Sequence, residues 1–353
     1  MTPVRYDSAL ERPAEDEAET VSRLAAALRT IGETTLADEG HALRGVHAKS
    51  HGLVKGEMTV SEGLPAELAQ GLFATPGRYA VVMRFSTNPG DLLDDSITVP
   101  RGLALKVLDV PGARLPGAES GRNQDFVMAN APAFAAADPK AFAGSLSLLA
   151  RITDQPQGLK KVASAVLRGA EKVVEAVGGE SALLKSLGGH PGTSILGETF
   201  WTQVPLRHGT YVAKLSVAPV APELVALAGS KVPTSGHPDA LRDQMRAHLS
   251  AHGGAWEVRV QLMTNPETMP VEDASVAWPE EESPYVAVAR ITAPPQPGWD
   301  AALSREIDDG MAFSPWNGLE AHRPLGGIMR ARRPTYEQSA RFRAAHNGCP
   351  VMR

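Results

Sequence analysis

Residues 78–87 read RYAVVMRFST, and this short run sets the fold class. It is rich in β-branched and aromatic residues and sits between two turn-forming clusters, ATPG before it and NPGD after it. That combination is the signature of a β-strand. Six more runs of the same texture follow the pattern: GLVKGEMTV (52–60), RGLALKVLDV (101–110), DFVMANA (125–131), TYVAKLSVAPV (210–220), WEVRVQLMT (256–264) and YVAVARITA (285–293). Alternation of apolar and polar residues is visible in several. Seven or eight strands without intervening crossover helices predict an α+β fold, built on a closed antiparallel β-barrel of about eight strands with helices around it.

Working outward from the strands, Val21, Leu24, Ala25, Leu28 and Ile31 have helical spacing and predict a helix from Glu19 to Ile31 with one buried face. Between Asp138 and Leu196 the texture changes. KAFAGSLSLLARI (140–152) and GLKKVASAVLRGAEKVVEAV (158–177) are helical by pattern. Strand signals resume at Thr199, so residues 138–198 read as a helical insertion within one domain spanning 1–353.

Bulk properties narrow the function classes. The 353 residues carry a net charge of −5 and no basic block, which argues against nucleic acid as a partner. The polar, acidic N-terminus has no apolar core of a signal peptide, and no run approaches the ~20 apolar residues of a membrane span. The single cysteine, Cys349, excludes an internal disulfide and fits a reducing, cytoplasmic setting.

Two stretches carry candidate chemistry. RRPTYEQSARFR (332–343) reads as a helix with Pro334 in its first turn and Asn347-Gly348 as its stop. Arg332, Tyr336 and Arg343 fall on one face of it. Two permanent cations beside a phenol favour its anion, so the stretch reads either as a phenolate ligand for a hard cation or as an amphipathic surface helix with solvated arginines. In LRGVHAKSHGLVKGEMTV (43–60), His47 and His51 are four apart. The glutamate and helix of a zinc-protease signature are missing, so a structural histidine is the plainer reading.

Taken in order, RGVHAKS, MRFST, RGLALK, VMANAPAF, FSPWN and RPTYEQSARFR resemble the haem catalase family over the framework from about Ala42 to Arg343. The resemblance implies haem b as cofactor, with Tyr336 as the proximal iron ligand and Arg332 one turn before it holding the phenolate. It implies Arg44, Arg84 and Arg343 at the haem propionates, where guanidinium pairs well with carboxylate. It also implies His47 as the distal acid–base group, with a pKa near working pH, Ser86 orienting its other nitrogen, and Val46, Val127, Phe134 and Phe142 against the haem.

One position departs from the family pattern. Register from Val127 to Pro132 puts Ala129 where the family has its distal catalytic asparagine, and Asn130 comes one residue later. One step along a strand reverses the face, so Asn130 is expected to reach the pocket only through a bulge. The family's long N-terminal arm, C-terminal helical domain and NADPH site have no counterpart here. The resemblance therefore implies a minimal catalase-related peroxidase whose partners are a small-molecule peroxide and an organic reductant, with a homo-oligomer compatible. Two alternatives stand beside it. A lipid-hydroperoxide isomerase resembling allene oxide synthase shares the fold but has threonine where this chain has Val46. A haem- or apolar-ligand-binding barrel without turnover would need neither His47 nor Ser86.

Overall fold

Nine strands appear in the computed structural model, which describes residues 2–144, 146 and 191–348. They are β1 (Ser50–Val60), β2 (Arg78–Thr87), β3 (Arg101–Val107), β4 (Gln124–Ala129), β5 (Phe200–Trp201), β6 (Leu206–His208), β7 (Tyr211–Pro219), β8 (Gly254–Leu262) and β9 (Val286–Ala293). All pairings are antiparallel, in the order β5-β4-β3-β2-β1-β9-β8-β7-β6. The two-residue β5 also pairs with β7 through Phe200↔Val217 and Trp201↔Ser216. Eight strands thereby close into a barrel, and β6 extends β7 outside the ring. This is the closed barrel with surrounding helices expected from the strand runs.

The period-2 alternation explains the layering. Met83, Phe85, Leu103, Leu105, Phe126 and Met128 point inward and are buried in the main core. Their neighbours in the chain point outward and form three cross-strand rows. The first is Ser50, Ser86, Gly102 and Ala129; the second is Leu53, Arg84, Ala104 and Val127; the third is Lys55, Val82, Lys106 and Asp125. A β-bulge between Ser50 and Gly52 inserts His51 as the extra residue. Its ring is fully buried and its Nε2 lies 3.2 Å from Thr87 Oγ1.

Three long helices surround the barrel: α1 (Glu17–Glu39) and α3 (Gly327–Asn347), packed against each other, and α2 (Ala240–His252), whose Leu241, Met245 and Leu249 enter the main core. α1 contains the expected span and runs on to Gly40, and α3 stops at Gly348; both glycines take the left-handed conformation, with φ of 66° and 67°. Pro334 lies inside α3 and not in its first turn. The helix starts further upstream because tertiary contacts hold its first turns. Glu272 accepts the Gly327 N–H, and Arg330 pairs with Glu11, Glu17 and Glu272 at 2.8–3.0 Å. β5 falls where strand signals resume, at Thr199, while β6 and the helix α2 were not anticipated from the sequence. Residues 139–144 are helical; most of the expected insertion, and Cys349, lie outside the described residues. Among the described residues, no helix is long and apolar enough to cross a membrane.

Candidate active site

His47 sits in the loop between α1 and β1 with φ of 55°, an uncommon value for a non-glycine residue. Its N–H donates to Asn88 O at 2.7 Å, and the next N–H, of Ala48, donates to Pro89 O at 3.0 Å. The loop is thus pinned to the end of β2, and the imidazole is laid onto the first outer row. There Gly102 leaves room for it: a Cβ on Gly102 would come within 2.4 Å of His47 Cε1. His47 Nδ1 lies 3.1 Å from Ser86 Oγ, and Ser86 Oγ lies 3.5 Å from Gly102 O. With the hydroxyl donating to that carbonyl, Nδ1 carries the ring proton and Nε2 is left as a bare acceptor. Burial first, then the cations Arg84, Arg332 and Arg44, push the imidazole down to about 3. This corrects the expected titration near working pH. The ring is neutral there, because burial and three cations oppose a further positive charge.

The next positions across the sheet are also clear. The β3–β4 register runs unbroken from Gly102↔Ala129 to Val107↔Gln124, so no bulge intervenes. Ala129 lies on the row with Ser86 and Gly102. Asn130 lies beyond the strand: its Oδ1 accepts from Arg101 N at 2.9 Å, and its Nδ2 donates to Glu198 at 2.8 Å. Arg101 also binds Glu198, at 3.1 Å. These contacts tie the strand ends to the chain returning at residues 191–198.

Arg44, Arg84 and Arg343 come from three separate elements and converge on residues 307–311. Arg84 Nε donates to Asp308 Oδ1 at 2.6 Å, Arg44 Nη1 to Asp308 O at 2.7 Å and Arg343 Nη1 to the same carbonyl at 2.6 Å. Ser50 and Ser304 hydroxyls donate to Asp308 Oδ2 at 2.7 and 2.9 Å. Asp308 reaches the cluster from a π-helical turn, Ser304–Asp309, a distortion common at functional sites. Burial pushes its carboxyl up, but Arg84, Arg44 and the Ser50 hydroxyl outweigh that and hold it below the usual carboxylate range.

On α3, Arg332 stacks over the Phe134 ring at 5.5 Å, and Phe134 meets Phe142 edge-on at 5.0 Å. Val46, Val127, Phe134, Phe142 and Tyr336 are half-buried. The Tyr336 hydroxyl has no hydrogen-bond partner among the described residues.

The architecture matches solved catalases. The crystal structure of a fungal catalase superposes with a TM-score of 0.63 at 20% identity, covering 89% of this chain and 62% of that one. Catalase A from Saccharomyces cerevisiae gives 0.60 at 16% identity, covering 97% and 67%. A bacterial catalase gives 0.60 at 17% identity, covering 99% and 66%. The chain has the catalase-like fold. It spans about two thirds of the length of the catalases it matches. No family model matches the chain, and no curated protein does.

Within the catalase-like frame, the arginine cluster suits a group that bears a carboxylate. Two carboxylates, Asp308 and Asp309, act on three converging guanidiniums and leave one positive charge unbalanced. Arg343 Nε is buried with no hydrogen-bond partner among the described residues. Tyr336 offers a phenol oxygen with no hydrogen-bond partner among the described residues, and Phe134 and Phe142 form a half-buried aromatic pair under Arg332. Sequence reasoning missed two residues of this site. Gly102 had a readable signal, since a glycine inside a strand marks a close approach. Asp308 had none, because its position depends on the π-helical turn.

Proposed function

We propose that the chain is a haem-dependent peroxidase that reduces hydrogen peroxide or organic hydroperoxides at the expense of an organic reductant, with weak catalase activity. The observation that carries this reading is the first outer row: His47 laid on Gly102, tied to Ser86, and followed by Ala129. Haem b, when bound, supplies redox-active iron to the site. Tyr336 is the residue to hold the iron, with Arg332 one turn before it. Arg44, Arg84 and Arg343 are the residues to hold the haem propionates, and Val46, Val127, Phe134 and Phe142 are those to border the ring.

His47 does the proton work. Its bare Nε2 takes a proton from the hydroperoxide while Ser86 retains Nδ1–H and fixes the ring. The depressed pKa makes proton uptake by the imidazole the uphill half of the cycle and return of the proton from the imidazolium to the leaving oxygen the downhill half. Ala129 offers no donor to place a second hydrogen peroxide, and the Asn130 amide is committed to Glu198 and Arg101. Dismutation needs that second peroxide positioned; peroxidation of an organic donor does not.

Haem-loaded protein is expected to show a phenolate–iron charge-transfer band that Tyr336→Phe abolishes. Dye peroxidation should be readily measured while an oxygen electrode records little release from hydrogen peroxide, with Ala129→Asn shifting the balance toward oxygen. Vigorous oxygen evolution by the unaltered protein would overturn the peroxidase assignment. An unchanged spectrum in Tyr336→Phe would overturn the axial one.

A further inference from the structure

A depression of about 400 Å³ opens on the protein surface beside α2, away from His47. Its walls include Asp243, Arg246, Ala247 and Ser250 on α2, and Trp299 and Asp300 from the segment after β9. Its volume falls in the range of small-molecule sites, roughly 300–1,000 Å³. Trp299 is half-buried, so its indole forms a wall of the depression while its N–H points into the protein. That N–H begins a chain of short hydrogen bonds. Trp299 Nε1 donates to Ser50 Oγ at 2.9 Å, Ser50 Oγ donates to Asp308 Oδ2 at 2.7 Å, and Arg84 Nε donates to Asp308 Oδ1 at 2.6 Å. Arg242 steadies the arrangement, with its guanidinium over the indole at 4.0 Å and its Nε donating to Ser50 O at 3.1 Å. Three hydrogen bonds therefore join the wall of the depression to the arginine cluster.

We propose that this depression binds the organic reductant, and that the reductant is an uncharged aromatic amine or phenol; this rests on the peroxidase reading above. The indole offers a ring for stacking. The two carboxylates of the lining, Asp243 and Asp300, are balanced by Arg246 in the lining and by Arg242 on the indole, so a donor without net charge suits the depression. A planar donor held here has the Trp299–Ser50–Asp308 bridge between it and the arginine cluster. The stoichiometry closes with the hydroperoxide as oxidant. Two phenols each lose one electron and one proton, and the O–O bond breaks to give one alcohol and one water.

The test uses the full chain and two probes, o-phenylenediamine, which is uncharged at neutral pH, and a disulfonated azo dye. Ser250→Trp fills the depression and leaves Trp299, Ser50 and Asp308, and the hydrogen bonds that join them, in place. Calorimetric titration is expected to show saturable o-phenylenediamine binding that weakens at least about tenfold in Ser250→Trp, a loss of about 1.4 kcal/mol. The KM for o-phenylenediamine should rise by a similar factor, while haem content, the KM for hydroperoxide and turnover of the sulfonated dye stay unchanged. Trp299→Phe keeps a ring but loses the N–H, so it should lower the rate with o-phenylenediamine more than its affinity. Absence of saturable binding, or an affinity and KM indifferent to Ser250→Trp, overturns the site. Binding that Ser250→Trp abolishes, in a haem-loaded protein that turns over no peroxide with either probe, overturns the reductant role together with the peroxidase reading and leaves an aromatic-binding depression.

Discussion

A methyl group on Gly102 would lie 2.4 Å from His47 Cε1 and 2.6 Å from Nδ1. No Cβ is accommodated at such distances, so Gly102→Ala must push the imidazole off the row or shift the strand. We expect peroxide turnover to fall about 10²-fold or more, the worth of a positioned acid–base group. Haem content should be nearly unchanged, because Tyr336 and the arginines lie elsewhere. Parent-rate turnover in a folded Gly102→Ala protein, measured beside its Soret spectrum, would contradict the placement of His47. At this scale the sequence was informative where a motif names a residue with distinctive chemistry, as with His47, Ser86, Arg84 and Tyr336. It was fainter where a residue matters for what it lacks, as with Gly102, whose one signal is a glycine inside a strand, and silent where backbone irregularity sets the position, as with Asp308.

At the scale of elements, the third outer row gives the lysine of RGLALK and the FSPWN stretch a shared purpose. Lys106 donates to both oxygens of Asp125 at 2.7 and 2.9 Å, with both side chains fully buried. Asp125 also accepts from Ser314 N at 3.0 Å and from Asn317 Nδ2 at 3.1 Å, and Phe313 covers the Lys106 ammonium at 5.2 Å. The pair therefore fastens the FSPWN loop to β3 and β4. Trp316 then joins the loop to the start of α3, by donating to Met329 O at 2.6 Å. Lys106→Met leaves Asp125 buried without its cation. The expected cost is about 3–5 kcal/mol, read as a lower urea midpoint with the slope unchanged. A loss under about 1 kcal/mol would mean the loop is held by other contacts. The seven long strands and α1 were legible because their periodicity persists over many residues. β6 is too short for a periodicity to read, and Pro334 drew the start of α3 too far downstream because Arg330 and its three carboxylates override the local signal.

Over the whole molecule, burial leaves several histidines neutral. His47 and His322 are pushed down to about 3 and His208 to about 4, each chiefly by burial, and His51 is also lowered. In the unfolded chain they titrate near 6.5. Between that value and the folded ones, the unfolded state binds more protons, so acidification favours unfolding. The contribution is whole above about pH 6.5 and shrinks by roughly 1.4 kcal/mol per pH unit for each histidine below it. The buried carboxyls Asp95, Asp125 and Glu198 are raised by burial and act in the opposite sense. Urea unfolding at pH 7, 6 and 5 should show stability falling with pH, and a flat profile would remove the histidines from the account.

The seam at β5 also bears on the order in which the chain assembles. β1 to β4 form one run of neighbouring hairpins and β7 to β9 another, each built from contacts close along the chain. The rungs that join them, such as Glu57↔Thr292 between β1 and β9 and Ala129↔Trp201 at the seam, link distant stretches of chain. Loop-closure entropy delays such contacts. In pulse-labelled refolding, amides of the β2–β3 and β7–β8 ladders should gain protection before those of β1–β9, and equal rates would refute a late closure. His47 rests on a ladder from the early half, whereas the arginine cluster draws Asp308 from beyond β9. The proton-handling row would then form in a nascent half-barrel, and the ring of cations would be the last part of the site to assemble.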